Sequence, residues 1–154
     1  MRANLYIFKE FFEMRHGSSG AMAIDDPKTW RPYNKKMCDS CSANCCTLLV
    51  EVTSEDLIRL GFASLWEIQH SLKQLVKGLK KDQVIKRYNS KSGKFVLTQN
   101  ADGTCLFLDN NCRCSVYDRR PQVCREHPAI SGPRTGYCAY SPKQVDLVAQ
   151  SNYC

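Results

Sequence analysis

Between residues 64 and 79 the apolar positions Leu65, Ile68, Leu72, Leu75, Val76 and Leu79 recur every three or four residues, the spacing of one helix face. Ser64 and Glu67 have the form of a capping box, so one helix is predicted over 65–79. His70 falls inside it with no second ligand-type residue four positions away, and it reads as a surface or satisfied histidine. Ahead of this helix, Thr47-Leu48-Leu49-Val50-Glu51-Val52 is β-branched and aliphatic and predicts a short buried strand. Thr53 or Ser54 is placed to cap a helix over 54–60, with Glu55 and Asp56 at its positive end and Gly61 as its stop. Gln83 to Tyr88 and Lys94 to Thr98 flank the polar turn Asn89-Ser90-Lys91-Ser92-Gly93, which predicts an antiparallel hairpin. From Cys105 onward the periodicity fades into loops rich in cysteine, proline and arginine. Ser141-Pro142 offers a start for a last short helix through about Ala149. The expected class is α+β: a small single domain with few helices, a short antiparallel sheet and cysteine-rich loops tied by metal. No internal repeat of useful length is visible.

Length agrees with this reading, since 154 residues suit one domain that buries about two-thirds of its unfolded surface. Residues 24–154 are taken as the cysteine-cluster domain and residues 1–23 as a flexible or helical extension. Within that extension Arg2, Leu5-Tyr6-Ile7-Phe8 and Ala21-Met22-Ala23 imitate a signal peptide, but Lys9, Glu10 and Glu13 interrupt its apolar stretch. No apolar run approaches the roughly 20 residues of a membrane helix. The expected compartment is therefore the cytoplasm.

The formal net charge of +7 suggests a phosphate-binding surface. The lysines between 77 and 94 have few aromatic residues among them, however, and read as a solvated face; a nucleic-acid partner is not expected. The charge also counts every thiol as neutral. Eight thiolates holding two Zn²⁺ ions would leave about +3.

Ten cysteines change the picture more than charge does. In a reducing compartment, clustered thiols at tight spacing point to metal before disulfides. Cys38, Cys41, Cys45 and Cys46 place four soft ligands within nine residues, and a C-x-x-C knuckle turns two sulfurs toward one ion. Cys45 and Cys46 are adjacent, so on extended backbone their side chains would face opposite ways. A turn, two separate metals or one polynuclear centre would each resolve this. The second group comprises Cys105 before Leu106-Phe107-Leu108, Cys112, Cys114-Ser115-Val116-Tyr117, Arg120-Pro121, Cys124-Arg125 and Cys138.

In order and spacing, the doublet followed by these motifs resembles the YkgJ-type cysteine-cluster family, a zinc- or iron-chelating CxxCxxCC domain, over roughly residues 35–140. That resemblance implies metal binding through Cys38, Cys41, Cys45, Cys46, Cys105, Cys114, Cys124 and Cys138, as two four-thiolate zinc sites or one iron–sulfur centre. It implies no established reaction, although related clusters occur in flagellin lysine methylases. The chain departs from the family pattern in having three residues between Cys41 and Cys45, and in carrying His127 where an aromatic residue commonly follows Cys-Arg. Cys112, His127 and Cys154 stay open as further ligands.

The alternatives are a disulfide framework, a C-x-x-C redox enzyme and a hydrolytic zinc site, and the runner-up role for the cluster itself is electron transfer by an iron–sulfur centre, delivery of a labile metal to a client, or service as an accessory to a modifying enzyme. The first lacks an export signal, and the second lacks the βαβ context of a thioredoxin-like motif. The third lacks an open coordination position, since all-cysteine shells are closed. Arg119, Arg120 and Arg125 are candidates to hydrogen-bond the thiolates, and Glu126 to neutralise Arg125. Metal ions are the expected partners; the residues name no protein client and do not separate zinc from iron–sulfur, which both accept four thiolates.

Overall fold

Helix α1 (Ser54–Leu60) forms where its caps demand. Thr53 accepts the Asp56 N–H, Asp56 returns a bond to the Thr53 N–H, and Gly61 closes the helix at φ +84°, a conformation that favours glycine. The structure, a computed structural model, describes residues 24–143. The N-terminal extension, the rest of the helix expected through Ala149, and Cys154 lie outside the described residues. Ser141 to Lys143, where that helix was expected to start, are not helical.

The helix expected over 65–79 is two helices, α2 (Leu65–His70) and α3 (Leu72–Lys81), which meet at Ser71. Ser71 has φ −138° and ψ 31°, outside the helical region. Its N–H closes α2 on the Glu67 carbonyl, while its own carbonyl accepts from Gln74 and Leu75 and opens α3. Periodicity runs through the break, because Ile68 and Leu72 still pack on the core on either side. Leu65 and Trp66, at the start of α2, are exposed, and Trp66 stacks on His70.

Two strand pairings complete the framework. β2 (Glu51–Val52), β3 (Ile85–Asn89) and β4 (Lys94–Leu97) make a three-stranded antiparallel sheet in the order β2-β4-β3, with a register shift between Ile85 and Arg87. The expected hairpin is β3–β4, its turn fixed by the Asn89 side chain accepting from Lys91 and Ser92. The expected strand over 47–52 is shorter, because residues Asn44–Thr47 form a 3-10 turn. Separately, β1 (Arg31–Pro32) pairs antiparallel with β5 (Tyr137–Cys138), which the sequence pattern does not announce.

The core lies between the three-stranded sheet and α1 and α3. Val52, Leu57 and Phe95 are wholly buried there, with Ile85, Leu97, Leu79 and Phe107 beside them. Burial of apolar side chains is what holds this half together, at about 25 cal/mol for each Å² removed from water. The α+β class holds.

Candidate metal centre

The cysteines sit on short irregular segments held by hydrogen bonds from side chains. Residues Lys35–Ser40 form a 3-10 turn ending at Cys41. Ala43 then adopts φ +62°, and the doublet occupies the following turn, Asn44–Thr47. Ala43 is one of the three residues between Cys41 and Cys45, and its left-handed backbone turns the chain sharply ahead of the doublet. Because the doublet is in a turn, its two side chains do not face opposite ways. The Cys46 thiol donates to the Cys45 sulfur, as do the backbone N–H groups of Cys45 and Cys46, which draws Cys45 down to about 7 while Cys46 is pushed up.

A short repeat hides in the second group: Cys105-Leu106-Phe107-Leu108-Asp109 and Cys114-Ser115-Val116-Tyr117-Asp118 fold alike. The Phe107 N–H points to the Cys105 sulfur and the Val116 N–H to the Cys114 sulfur. Leu108 N–H bonds the Cys105 carbonyl at 2.9 Å, and Tyr117 N–H bonds the Cys114 carbonyl at 3.2 Å. These are the knuckles whose amides stabilise thiolates. Ser115 N–H and Oγ both donate to the Phe107 carbonyl, at 2.8 and 3.0 Å, and join one knuckle to the other. Helix α4 (Gln122–Glu126) carries Cys124, and its first N–H donates to the buried Asp56 carboxylate of α1 at 2.9 Å.

Arginines hold the loops to each other. The Arg113 guanidinium donates to the carbonyls of Cys38 and Asp39, at 3.0 and 2.8 Å. Arg134 reaches the carbonyls of Pro27 and Lys28, and Arg125 those of Asp118 and Arg120. Arg125 thus serves backbone, and Glu126 accepts from Gln122 instead of neutralising it. Arg119 extends toward Gly61 at the end of α1. Arg120 is the arginine whose charge favours thiolate at Cys38, Cys45, Cys114 and Cys124, and its guanidinium lies 4.1 Å from the centre of the Tyr117 ring. Tyr33, absent from the sequence reading because nothing in its local pattern marks it, hydrogen-bonds Cys38.

All eight cysteines of the expected ligand set are free. Burial raises Cys38, Cys105 and Cys114, and it pushes Cys124 and Cys138 up to about 12. Charge on Cys45 raises Cys38, Cys46, Cys105, Cys114, Cys124 and Cys138, so that sulfur is close to both groups. Beyond Cys45, the mutual influences divide. Cys138 responds to Cys41 and Cys38, whereas Cys46 and Cys124 respond to Cys105 and Cys114.

Among the described residues no three His, Cys, Asp or Glu side chains stand in metal-holding geometry. The donor chemistry nevertheless fits zinc or iron: soft sulfurs, amide donors to hold them as thiolates, and a guanidinium to offset their charge. Cys112 is disulfide-bonded, which removes it from competition as a ligand. His127 sits with Trp30 in an edge contact 6.2 Å between centres, its ring donating to the Ser131 carbonyl and its Nε2 buried without a partner. No thiol influences it, and burial lowers its pKa.

The family model for CxxCxxCC, described as a putative zinc- or iron-chelating domain, matches residues 37–154. No curated protein and no solved structure matches the chain.

Proposed function

The chain belongs to that CxxCxxCC family, and on this premise we propose that it binds zinc or an iron–sulfur centre through Cys38, Cys41, Cys45, Cys46, Cys105, Cys114, Cys124 and Cys138. The observation that supports the reading is that Cys45 acts electrostatically on six other free thiols drawn from both sequence groups, Cys38 and Cys46 from the first and Cys105, Cys114, Cys124 and Cys138 from the second. Bound metal would supply the cohesion that the loops lack, because coordination free energy becomes folding free energy when a site forms only in the folded state. The chain's own residues prepare for it. The amides of Phe107 and Val116 and the guanidinium of Arg120 favour thiolate where burial opposes it, and Tyr33 orients Cys38. Free thiols in this number favour a reducing compartment such as the cytoplasm, while the disulfide at Cys112 counts the other way. Among the described residues no helix is long and apolar enough to cross a membrane.

Anaerobic purification followed by metal analysis tests the proposal. Stoichiometric zinc in a colourless sample, or iron with sulfide in a brown one, is the expected result. A chain that retains neither, with its eight thiols freely titratable, rejects it.

A further inference from the structure

The net charge of the chain sits in one place. Residues 72–94 carry eight of its 22 lysines and arginines and a single carboxylate, Asp82, a local charge of +7 that equals the charge of the whole chain. Outside that stretch, positive and negative residues are equal in number. All eight cations are exposed, and among the described residues only Lys94 of them forms an ion pair, with Glu51 at 3.8 Å. Helix α3 sets Leu75 and Leu79 into the core and leaves Lys73, Lys77 and Lys80, at i, i+4 and i+7, along one exposed flank. The lysines of its last turn complement the helix dipole, but Lys73 and Lys77 lie ahead of that turn and repel each other. α3 packs on β3, which continues the charge through Lys86 and Arg87. β3 is a terminal strand: it pairs with β4 on one side, and among the described residues no other strand takes its second edge.

We propose that α3 and the open edge of β3 form a docking surface for an extended acidic segment of another protein, which adds to β3 as a further strand and sets its carboxylates against the lysines. Charge complementarity selects an anionic partner. The strand edge then selects among anions, because only another polypeptide can complete its backbone hydrogen bonds. A lipid surface fits less well: basic helices that lie on membranes also insert apolar side chains, and none of the exposed large hydrophobic residues falls within 72–94. A single-stranded nucleic acid needs rings to stack on, yet Tyr88, the one aromatic residue of the stretch, is packed against Phe95 with 4.6 Å between centres. Duplex phosphates favour the planar fork of arginine, and here every cation but Arg87 is a lysine. A second copy of this chain is disfavoured as well, since joining two β3 edges would set like charges opposite each other. The surface belongs to the half held by the apolar core, so docking there is independent of the metal-binding reading.

Fluorescence anisotropy of the full chain with a labelled peptide of alternating glutamate and valine tests this. The peptide should bind, and more weakly as salt rises. A version with its central valines replaced by proline keeps the charge but cannot donate to a strand ladder, and it should bind at least about tenfold more weakly. Lys73→Glu combined with Lys77→Glu, and separately Lys86→Glu, should each weaken binding by at least about tenfold while the thermal midpoint stays unchanged. Backbone amide shifts on binding should centre on residues 86–89. Equal binding of the two peptides overturns the proposal, as does a charge-reversed chain that binds like the parent. Tighter binding of a mixed-sequence DNA duplex or of phosphatidylserine vesicles than of the acidic peptide overturns it too, and so does no binding at all; each of these results leaves metal binding standing.

Discussion

The half of the molecule around the three-stranded sheet and the half around the thiols are stabilised by different physics. In the first, residues from Val50 to Leu97 bury continuous apolar surface, and regular hydrogen bonding follows from it. In the second, buried apolar side chains are few, and order rests on arginine-to-carbonyl bonds, two-residue strands and knuckle amides. Such contacts contribute about 0.5–1.5 kcal/mol each, too little alone to offset the entropy of ordering long loops. The comparison teaches that sulfur can stand where a core would otherwise be.

Removing the metal should break the symmetry of that comparison most. After complete chelation, amide hydrogen exchange should lose protection across residues 105–140 while β2–β4 and α1 keep theirs. Uniform protection throughout, with unchanged far-UV dichroism, would mean the loops hold themselves. The joint between the halves is sharpened by Asp56→Ala. It removes the α1 cap, the 2.9 Å bond with Arg59 and the bond from α4, and should cost about 2–3 kcal/mol in denaturant unfolding.

pH separates the halves as well. In the metal-free chain, Cys124 and Cys138 keep their protons up to about 12, against an ordinary value of 9.0. The unfolded chain releases those protons first, so the associated stability is intact below 9 and is lost progressively as pH rises toward 12. Metal reverses the sign, since binding expels thiol protons and weakens as pH falls. Thermal midpoints of the apo and loaded forms across pH should therefore diverge upward. At smaller scale, Ala43→Gly should stabilise the doublet loop by at most about 1 kcal/mol, because relief of the roughly 1–2 kcal/mol cost of a left-handed alanine at φ +62° is partly offset by the extra unfolded-chain freedom of glycine, about 0.4–1 kcal/mol. Trp66→Ala, on the exposed face of α2, should stay within about 0.5 kcal/mol of the parent in the same melts.

What could be read from the sequence follows the same division. Caps and periodicity act over four residues, so α1 and the β3–β4 hairpin are legible from Thr53, Asp56, Gly61 and the Asn89 turn. The break at Ser71 is not, because the apolar spacing is identical whether or not the helix continues. In the thiol half the eight cysteines stand out by type and order, but their grouping depends on contacts such as Arg113 to Cys38 and Cys105 to Cys46, which span tens of residues and leave no local pattern. The knuckle repeat is present in the letters, yet only the shared amide-to-sulfur bonds reveal it. Tyr33 carries no signal at all.

The central claim is that these eight sulfurs are metal ligands, and counting their reactivity in the native chain tests it most directly. On anaerobically prepared protein, a small thiol reagent read by peptide mass spectrometry should leave Cys38, Cys41, Cys45, Cys46, Cys105, Cys114, Cys124 and Cys138 unmodified until a strong chelator is added, when metal release and labelling should rise together. Immediate labelling of all eight, with no metal released, would contradict it.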